Sequence, residues 1–439
     1  MIRKISESII YVGCDDHKLD MFEGQYMVPN GMAYNSYVVL DDKVAVFDTM
    51  EEKETAEWLA NLDEALAGKN PDYLIVQHME PDHSASIGVF VEKYPEATIV
   101  GNKKTFNMIG QFFPGIEITN KMEVASGDKL SLGTHELTFI MAPMVHWPEV
   151  MMTYESSEKV FFSADAFGKF GALDVDEDWA CEARRYYIGI VGKYGPQVQA
   201  VLKQAAELEV ETICPLHGPV LNENLGYYMD LYDTWSSYEP ETEGVCICYT
   251  SVYGNTKKAV ELLAKELVAA GVENVVVNDL ARCDWAEAVE DAFRYDRLVL
   301  ATTTYNGDIF PFMKQFIDHL TERNFQNRRV AFIENGSWGP VAIRKMNMYL
   351  GEAKDLVIAE NNVTIKSAMT DNNKTQIKEL AAELAAEPVP EEEPAAEVAK
   401  GKKFECQICK YVYEGEALPE GFACPLCGRG EKDFVLIEG

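Results

Sequence analysis

The chain closes with a segment too short to fold around a core of its own. Residues 402–439 form a module of about forty residues, and at that size a bound metal usually holds the fold. Within it lie Cys406-x2-Cys409 and Cys424-x2-Cys427, with fourteen residues between the pairs. Two such knuckles specify a tetrahedral site of four sulfurs, which suits zinc or a single iron. Spacing by itself slightly favours a zinc ribbon. Phe404, Tyr411, Tyr413, Phe422 and Phe434 surround the cysteines, and an apolar shell of this kind tunes an iron's reduction potential and limits solvent.

Upstream, residues 386–401 are acidic and rich in Pro, Glu and Ala, without an aromatic residue. Such a stretch cannot bury a core and reads as a semi-extended tether. Before it, residues 245–385 alternate strand and helix patterns. Strands are expected at 245–249, 275–277, 298–302 and 330–333, with a helix over 256–270 after a Gly-containing turn. This rhythm implies a parallel, doubly wound sheet. Residues 1–242 mix β-rich runs (37–40, 44–47, 73–76, 98–100, 137–141 and 160–163) with helical stretches near 53–67 and 195–208. Residues 235–244 read as a connector.

The second segment opens with Thr250, Ser251, Val252, Tyr253, Gly254, Asn255 and Thr256 between strand and helix. Neutral side-chain donors and free N–H groups at a helix N-terminus make an anion site. The pattern is neither GxxxxGK[ST] nor GxGxxG, which disfavours ATP and dinucleotides. Two further loops follow expected strands: Thr303, Thr304, Tyr305, Asn306 and Gly307, then Asn335, Gly336, Ser337, Trp338 and Gly339. All three would lie at the carboxyl edge of the sheet, where such folds bind ligands. Tyr305 and Trp338 are candidates to flank a flat ring.

In the first segment, His78, Glu80 and Asp82 alternate at period two directly after a strand, and His83 follows. Ligand-type residues recur beyond later apolar runs: His146, Asp165, and His217 behind Cys214. Imidazole and carboxylate together suit zinc, manganese or iron and poorly suit copper(I). His17, His135 and His319 lack such a setting and read as structural. The other six cysteines, Cys14, Cys181, Cys214, Cys246, Cys248 and Cys283, read as buried reduced thiols.

The HxExDH run with its later His, Asp and His resembles the metallo-β-lactamase-like domain of flavodiiron proteins, which implies an αββα sandwich with two metals at one sheet edge. Hydrolases of that superfamily carry HxHxDH and bind zinc. Glu80 in place of the second His makes the ligand set harder and favours iron. By resemblance, His78, Glu80 and His146 hold one iron, Asp82 and His217 the other, and Asp165 bridges them. His83 is a site residue without an assigned metal. The loop at 250–256 resembles the phosphate loop of flavodoxins, which implies FMN. Thr303 stands where relatives commonly have Pro, and Asp308 where Gly is frequent. Cys424-Pro425-Leu426-Cys427-Gly428 resembles rubredoxin, although the gap between the pairs is closer to the tail domain of rubrerythrins. It implies a rubredoxin-type iron.

The family resemblance further implies a reductase of dioxygen to water or of nitric oxide to nitrous oxide, with electrons passing from rubredoxin iron to FMN to diiron. It also implies a head-to-tail homodimer, alone or paired into a tetramer. With no GxGxxG fingerprint in the chain, an NAD(P)H-dependent reductase is expected as a separate donor. The alternatives are a zinc hydrolase with redox appendages and an electron carrier that reduces no gas. The formal net charge of -33, from 72 acidic against 39 basic residues, makes nucleic acid and anionic membranes poor partners. Without a secretory signal or an apolar span, the expected location is cytoplasmic.

Overall fold

The computed structural model describes residues 2–386 apart from 352, and 402–438 apart from 416 and 420. All but the first residue of the expected tether therefore lies outside the described residues. The chain divides into two compact units, one of Met1–Tyr187, Pro196–Tyr232 and Glu397–Gly439, the other of Ile188–Gly195 and Asp233–Ala396. The structure groups the C-terminal module with the first segment.

The first unit is a sandwich of a 7-stranded and a 5-stranded sheet. The larger runs Arg3–Lys4, Ile9–Tyr11, Tyr37–Val39, Ala45–Phe47, Tyr73–Ile75, Thr98–Gly101 and Lys121–Glu123; the smaller runs Lys129–Ser131, Glu136–Met141, Met151–Glu155, Val160–Phe162 and Thr212–Cys214. Their inner faces meet in a core containing Val39, Phe47, Ile75, Val100, Leu137, Phe139, Met151 and Phe162. Phe47 and Phe162 stack across it at 4.0 Å. The helix Thr55–Leu66 buries Trp58, Leu62, Ala65 and Leu66, an i, i+4, i+7 stripe.

The second unit is a parallel sheet in the order Val275–Asp279, Thr242–Tyr249, Tyr295–Tyr305, Gln326–Asn335, Lys354–Ile358. Val363–Ile365 extends the last edge beside Ile333 to Asn335. The helix Asn255–Ala269 buries Thr256, Ala259, Val260, Leu263 and Leu267, a stripe that packs into the sheet's core. The expected connector at 235–244 contributes to regular structure at both ends. The helix Leu225–Ser236 takes its start, and Thr242 pairs with Tyr295 ahead of an irregularity before Val245. Polar residues at a strand's entry concealed that pairing from the sequence pattern.

The C-terminal module is a 3-stranded sheet with Lys402–Cys406 between Val412–Gly415 and Phe434–Glu438. No helix among the described residues is long and apolar enough to cross a membrane.

Candidate metal centres and flavin site

Every ligand-type residue of the first segment emerges just beyond a strand. His78 and Glu80 follow Tyr73–Ile75, His146 follows Glu136–Met141, Asp165 follows Val160–Phe162, and His217 follows Thr212–Cys214. Asp82 and His83 ride the short helix Pro81–Ser84, whose proline occupies its first turn, a position that needs no N–H donor. The strands' carboxyl ends therefore converge these side chains on one edge of the sandwich.

They form two adjoining groups: His78, Glu80, His146 and Asp165 in one, Asp82, His83 and His217 in the other. In the first, His146 Nε2 lies 3.0 Å from both Glu80 Oε2 and Asp165 Oδ2. His78 Nε2 lies 3.2 Å from Glu80 Oε2 and 3.3 Å from Asp165 Oδ2. In the second, His83 and His217 each bring Nε2 to 3.3 Å from Asp82 Oδ2. Asp165 Oδ1 turns toward that group, 3.4 Å from His83 Nε2. One carboxylate thus offers a separate oxygen to each group. His83, left without a metal by the sequence reading, takes a full place beside His217, with 3.0 Å between their Nε2 atoms.

Two residues that sequence reasoning missed hold this arrangement. Glu149 is fully buried, and its Oε1 accepts from His78 Nδ1 and from the Met79 N–H, both at 2.9 Å. Holding Nδ1 leaves His78 Nε2 as the ligand atom. Asp48 follows the strand Ala45–Phe47 and accepts from Gln77 N at 2.8 Å and His78 N at 3.2 Å. Burial raises Asp48 to about 6. Asp48 showed the same strand-end placement as the ligands and could have been noticed; Glu149, three residues beyond His146, had no pattern to mark it. His217 is oriented separately, its Nδ1 lying 2.8 Å from the Ala33 carbonyl.

The electrostatics fit cations at both positions. Burial works against the charge on His146, yet the Asp165 and Glu80 carboxylates outweigh it and raise the ring to about 9. His78 is likewise driven up against its burial by Asp165, Glu149 and Glu80. Asp165 is held far below the carboxylate range despite burial, by His78, His146 and His83. Both Asp82 oxygens, Asp165 Oδ1 and His83 Nδ1 are buried without a hydrogen-bond partner among the described residues. Buried carboxylate oxygens left this way are costly unless a cation satisfies them. A cavity of about 270 Å³ lined by Phe22, Glu23, Tyr34, Glu80 and Asp82 opens beside the two groups. That is ample for a diatomic molecule.

In the second unit the three expected loops do meet. Thr250 and Thr302 share a hydroxyl contact of 2.6 Å, and Thr303 Oγ1 donates to the Asn335 carbonyl at 3.0 Å. Gly254 occupies the N-cap of Asn255–Ala269 at φ 86 and has no side chain of its own to cap it. Ser251 Oγ accepts from Gly254 N at 3.1 Å and from Lys257 N at 3.3 Å, which shapes the turn and ties it to the helix start. A helix start behind a glycine N-cap and framed by hydroxyls fits a phosphate. Trp338 is 96% exposed and Tyr253 93%, so neither serves core packing. Tyr305 is 44% exposed and packs edge-on to Phe310 at 5.2 Å. Asp308 starts a short antiparallel return to Tyr305 and accepts from the Tyr349 hydroxyl at 2.7 Å.

In the module, all four cysteine sulfurs cluster, with Cys409 and Cys424 Sγ 3.4 Å apart. Burial raises the Cys406 thiol, but backbone N–H groups of Cys409 and Ile408 outweigh it and bring it below the usual range. N–H groups directed at a thiolate stabilise the charged form that a metal needs. Phe422 packs between Tyr413 at 4.8 Å and Phe434 at 5.3 Å. Elsewhere Cys14, Cys214, Cys246 and Cys248 are buried as expected, whereas Cys181 and Cys283 are only half-buried. His135 is structural, held between Asp41 and Glu158, and His319 stacks on Trp285 at 4.0 Å.

A β-lactamase-like sandwich with two adjoining nitrogen–carboxylate metal groups, a flavodoxin-like sheet and a four-thiolate module together define a metal- and flavin-dependent electron-transfer protein. Residues 32–218 match the ODP family beta lactamase, and residues 246–342 match a flavodoxin domain. A nitric oxide reductase from Moorella thermoacetica is 30% identical over 393 residues, covering 87% of this chain and 98% of that protein. An anaerobic nitric oxide reductase flavorubredoxin from Salmonella arizonae is 26% identical over 483 residues, covering 99% of this chain and 98% of its own. The rubredoxin oxygen:oxidoreductase of Desulfovibrio gigas superposes with a TM-score of 0.81 at 25% identity, covering 88% of this chain and 98% of the other. The chain belongs to the flavodiiron protein family.

Proposed function

We propose that the protein is a flavodiiron oxidoreductase that reduces nitric oxide to nitrous oxide, or dioxygen to water, at a non-haem diiron site. The observation that carries this reading is Asp165, whose two oxygens face the two ligand groups separately. His78, Glu80 and His146 hold one iron and Asp82, His83 and His217 the other, with Asp165 between them. Glu80 supports iron over zinc, because a carboxylate in that place hardens the donor set. When bound, the iron pair supplies open positions and two electrons at once, FMN stores up to two, and the four-cysteine iron passes one.

The chain's own residues set the conditions for this. Glu149 and Asp48 keep the His78 loop from shifting as charge changes at the pocket. Phe22 and Tyr34 line the cavity beside Glu80 and Asp82. The loop of residues 250–256, with the N–H groups at the start of the helix Asn255–Ala269, would take the FMN phosphate, and Trp338 and Tyr305 would flank its ring. Coupling two nitric oxide molecules consumes two electrons and two protons, and releases nitrous oxide and water. Reducing dioxygen to two waters consumes four of each.

The working form in this reading is a head-to-tail homodimer supplied by a separate NAD(P)H-dependent reductase, in a reducing cytoplasm. The six free cysteines outside the four-thiolate cluster support the reducing setting. The test is an anaerobic assay of reduced, purified protein, with each gas supplied in turn and iron, zinc and flavin measured. Consumption of at least one gas is expected. A sample loaded with iron and FMN that consumes neither defeats the reading.

A further inference from the structure

The cavity beside the two metal groups is rich in hydrogen-bond acceptors and poor in donors. Glu23, Glu51, Glu80 and Asp82 bring carboxylates to its lining. Lys53, the one cation of the lining among the described residues, is paired with Asp16, its Nζ 2.7 Å from a carboxylate oxygen. A diatomic molecule gains negative charge as electrons reach it, and acceptors alone oppose that charge. The site needs a donor. Tyr34 brings a neutral hydroxyl to the same lining.

Tyr34 is 2% exposed, and its hydroxyl has no hydrogen-bond partner among the described residues. Tyr37, on the next strand, commits its own hydroxyl to the Pro215 carbonyl at 2.6 Å. A buried hydroxyl without a partner is unfavourable, and a phenol retains its proton at neutral pH. Its position is fixed on both flanks. Tyr34 ends the strand Met32–Tyr34, paired antiparallel with Cys14–Asp16, and its ring stands at 62° to that of His217, with centroids 5.9 Å apart. The preceding Ala33 carbonyl lies 2.8 Å from His217 Nδ1. The following Asn35 donates from N to the Leu216 carbonyl and from Nδ2 to the Pro215 and Gly218 carbonyls, each at 2.8 Å. The residues flanking Tyr34 are thus locked to the loop that carries His217. A donor held this way needs no rearrangement when charge develops.

We propose that Tyr34 is a catalytic residue of this site, its hydroxyl donating a hydrogen bond to the diatomic substrate as that molecule takes on negative charge. The hydroxyl keeps its proton throughout, and the protons consumed come from solvent. This role rests on the gas-reducing reading given above and deepens it by naming the group that stabilises the charge.

The test uses the full-length holoprotein with its Tyr34→Phe and Glu23→Gln variants, and azide as a small anionic probe. Iron and FMN are quantified first and are expected to match the parent in Tyr34→Phe, which keeps the ring against His217. Titration by visible absorption is expected to show azide binding weakened roughly tenfold in Tyr34→Phe, equivalent to about 1.4 kcal/mol, and not weakened in Glu23→Gln. The infrared stretch of bound azide is expected to shift between H2O and D2O in the parent and to lose that shift in Tyr34→Phe, a change that altered packing alone does not produce. Gas consumption in Tyr34→Phe is expected to lose kcat and hold KM, because the bond strengthens only as charge develops. Unchanged azide affinity and an unchanged isotope shift in Tyr34→Phe overturn the proposal. Loss of the isotope shift in Glu23→Gln alone also overturns it, by assigning the donor to Glu23. A parent that consumes neither gas, with both azide effects present, defeats the proposed activity and leaves Tyr34 as the donor to an anion at the metal groups.

Discussion

At the scale of single residues, the site depends on groups that would never touch substrate. Glu149 holds both the ring of His78 and the Met79 N–H. Its replacement by alanine removes both anchors and frees His78 to rotate. Partners of this kind are worth about 10–100-fold in metal affinity, so Glu149→Ala is expected to lose iron by that order, with Glu149→Gln losing less. Iron titration of the apoprotein checks this, and equal affinity across all three proteins would refute it. His135 makes a second, purely structural case. Burial disfavours its charge, but Asp41 and Glu158 raise its pKa above the usual value, while Asp41 is lowered to about 2. A raised histidine contributes stability in full below its unfolded value of about 6.5, and loses it as pH climbs through the folded value. His135→Gln should therefore cost about 1–3 kcal/mol at pH 5.5 and visibly less at pH 9, as read by denaturant melts at both.

Elements supply the next level of control. Gly254 sits in the left-handed region at the N-cap of Asn255–Ala269, and nothing lies within 4 Å of where its Cβ would be. The cost of a side chain there is thus conformational and not steric crowding, about 1–2 kcal/mol. Gly254→Val is expected to weaken FMN binding, followed by flavin fluorescence, because relaxing that strain re-aims the helix start. The opposite face of the same helix is core. Leu263 is fully buried among Ile247, Val299 and Ile333, and Leu263→Ala should destabilise this unit by about 2–5 kcal/mol. A circular-dichroism melt that does not move would contradict that packing role.

For the whole molecule, the division of labour predicts what truncation does. Ending the chain after residue 386 removes the four cysteines but no residue of the sandwich ligands or the flavin loops. The shortened protein is expected to retain FMN and the diiron pair, and to lose one iron and its fast reduction by the donor. Iron-to-flavin ratios and stopped-flow reduction measure both. The net charge of -33 adds an ionic-strength dependence to that donor step, since steering by an acidic surface weakens as salt screens it.

The sequence by itself determined the chemistry of the sites and the kinds of fold that bear them. Ligand identity is local: His78, Glu80, Asp82 and His83 fall within six residues, and the two CxxC pairs specify their geometry through spacing alone. Periodicity likewise exposed the doubly wound sheet, because apolar strands and amphipathic helices repeat over short windows. Only the tertiary structure decided how the ligands divide. His83 joins Asp82 and His217 because strands far apart in sequence end at one sheet edge. Glu149 became visible for the same reason, since a residue that supports another across the fold leaves no pattern in its own neighbourhood. The hydrogen bond from Gln197 Nε2 to the Cys409 carbonyl spans 212 residues. Contacts at that range are set by how whole elements pack, which no local spacing encodes.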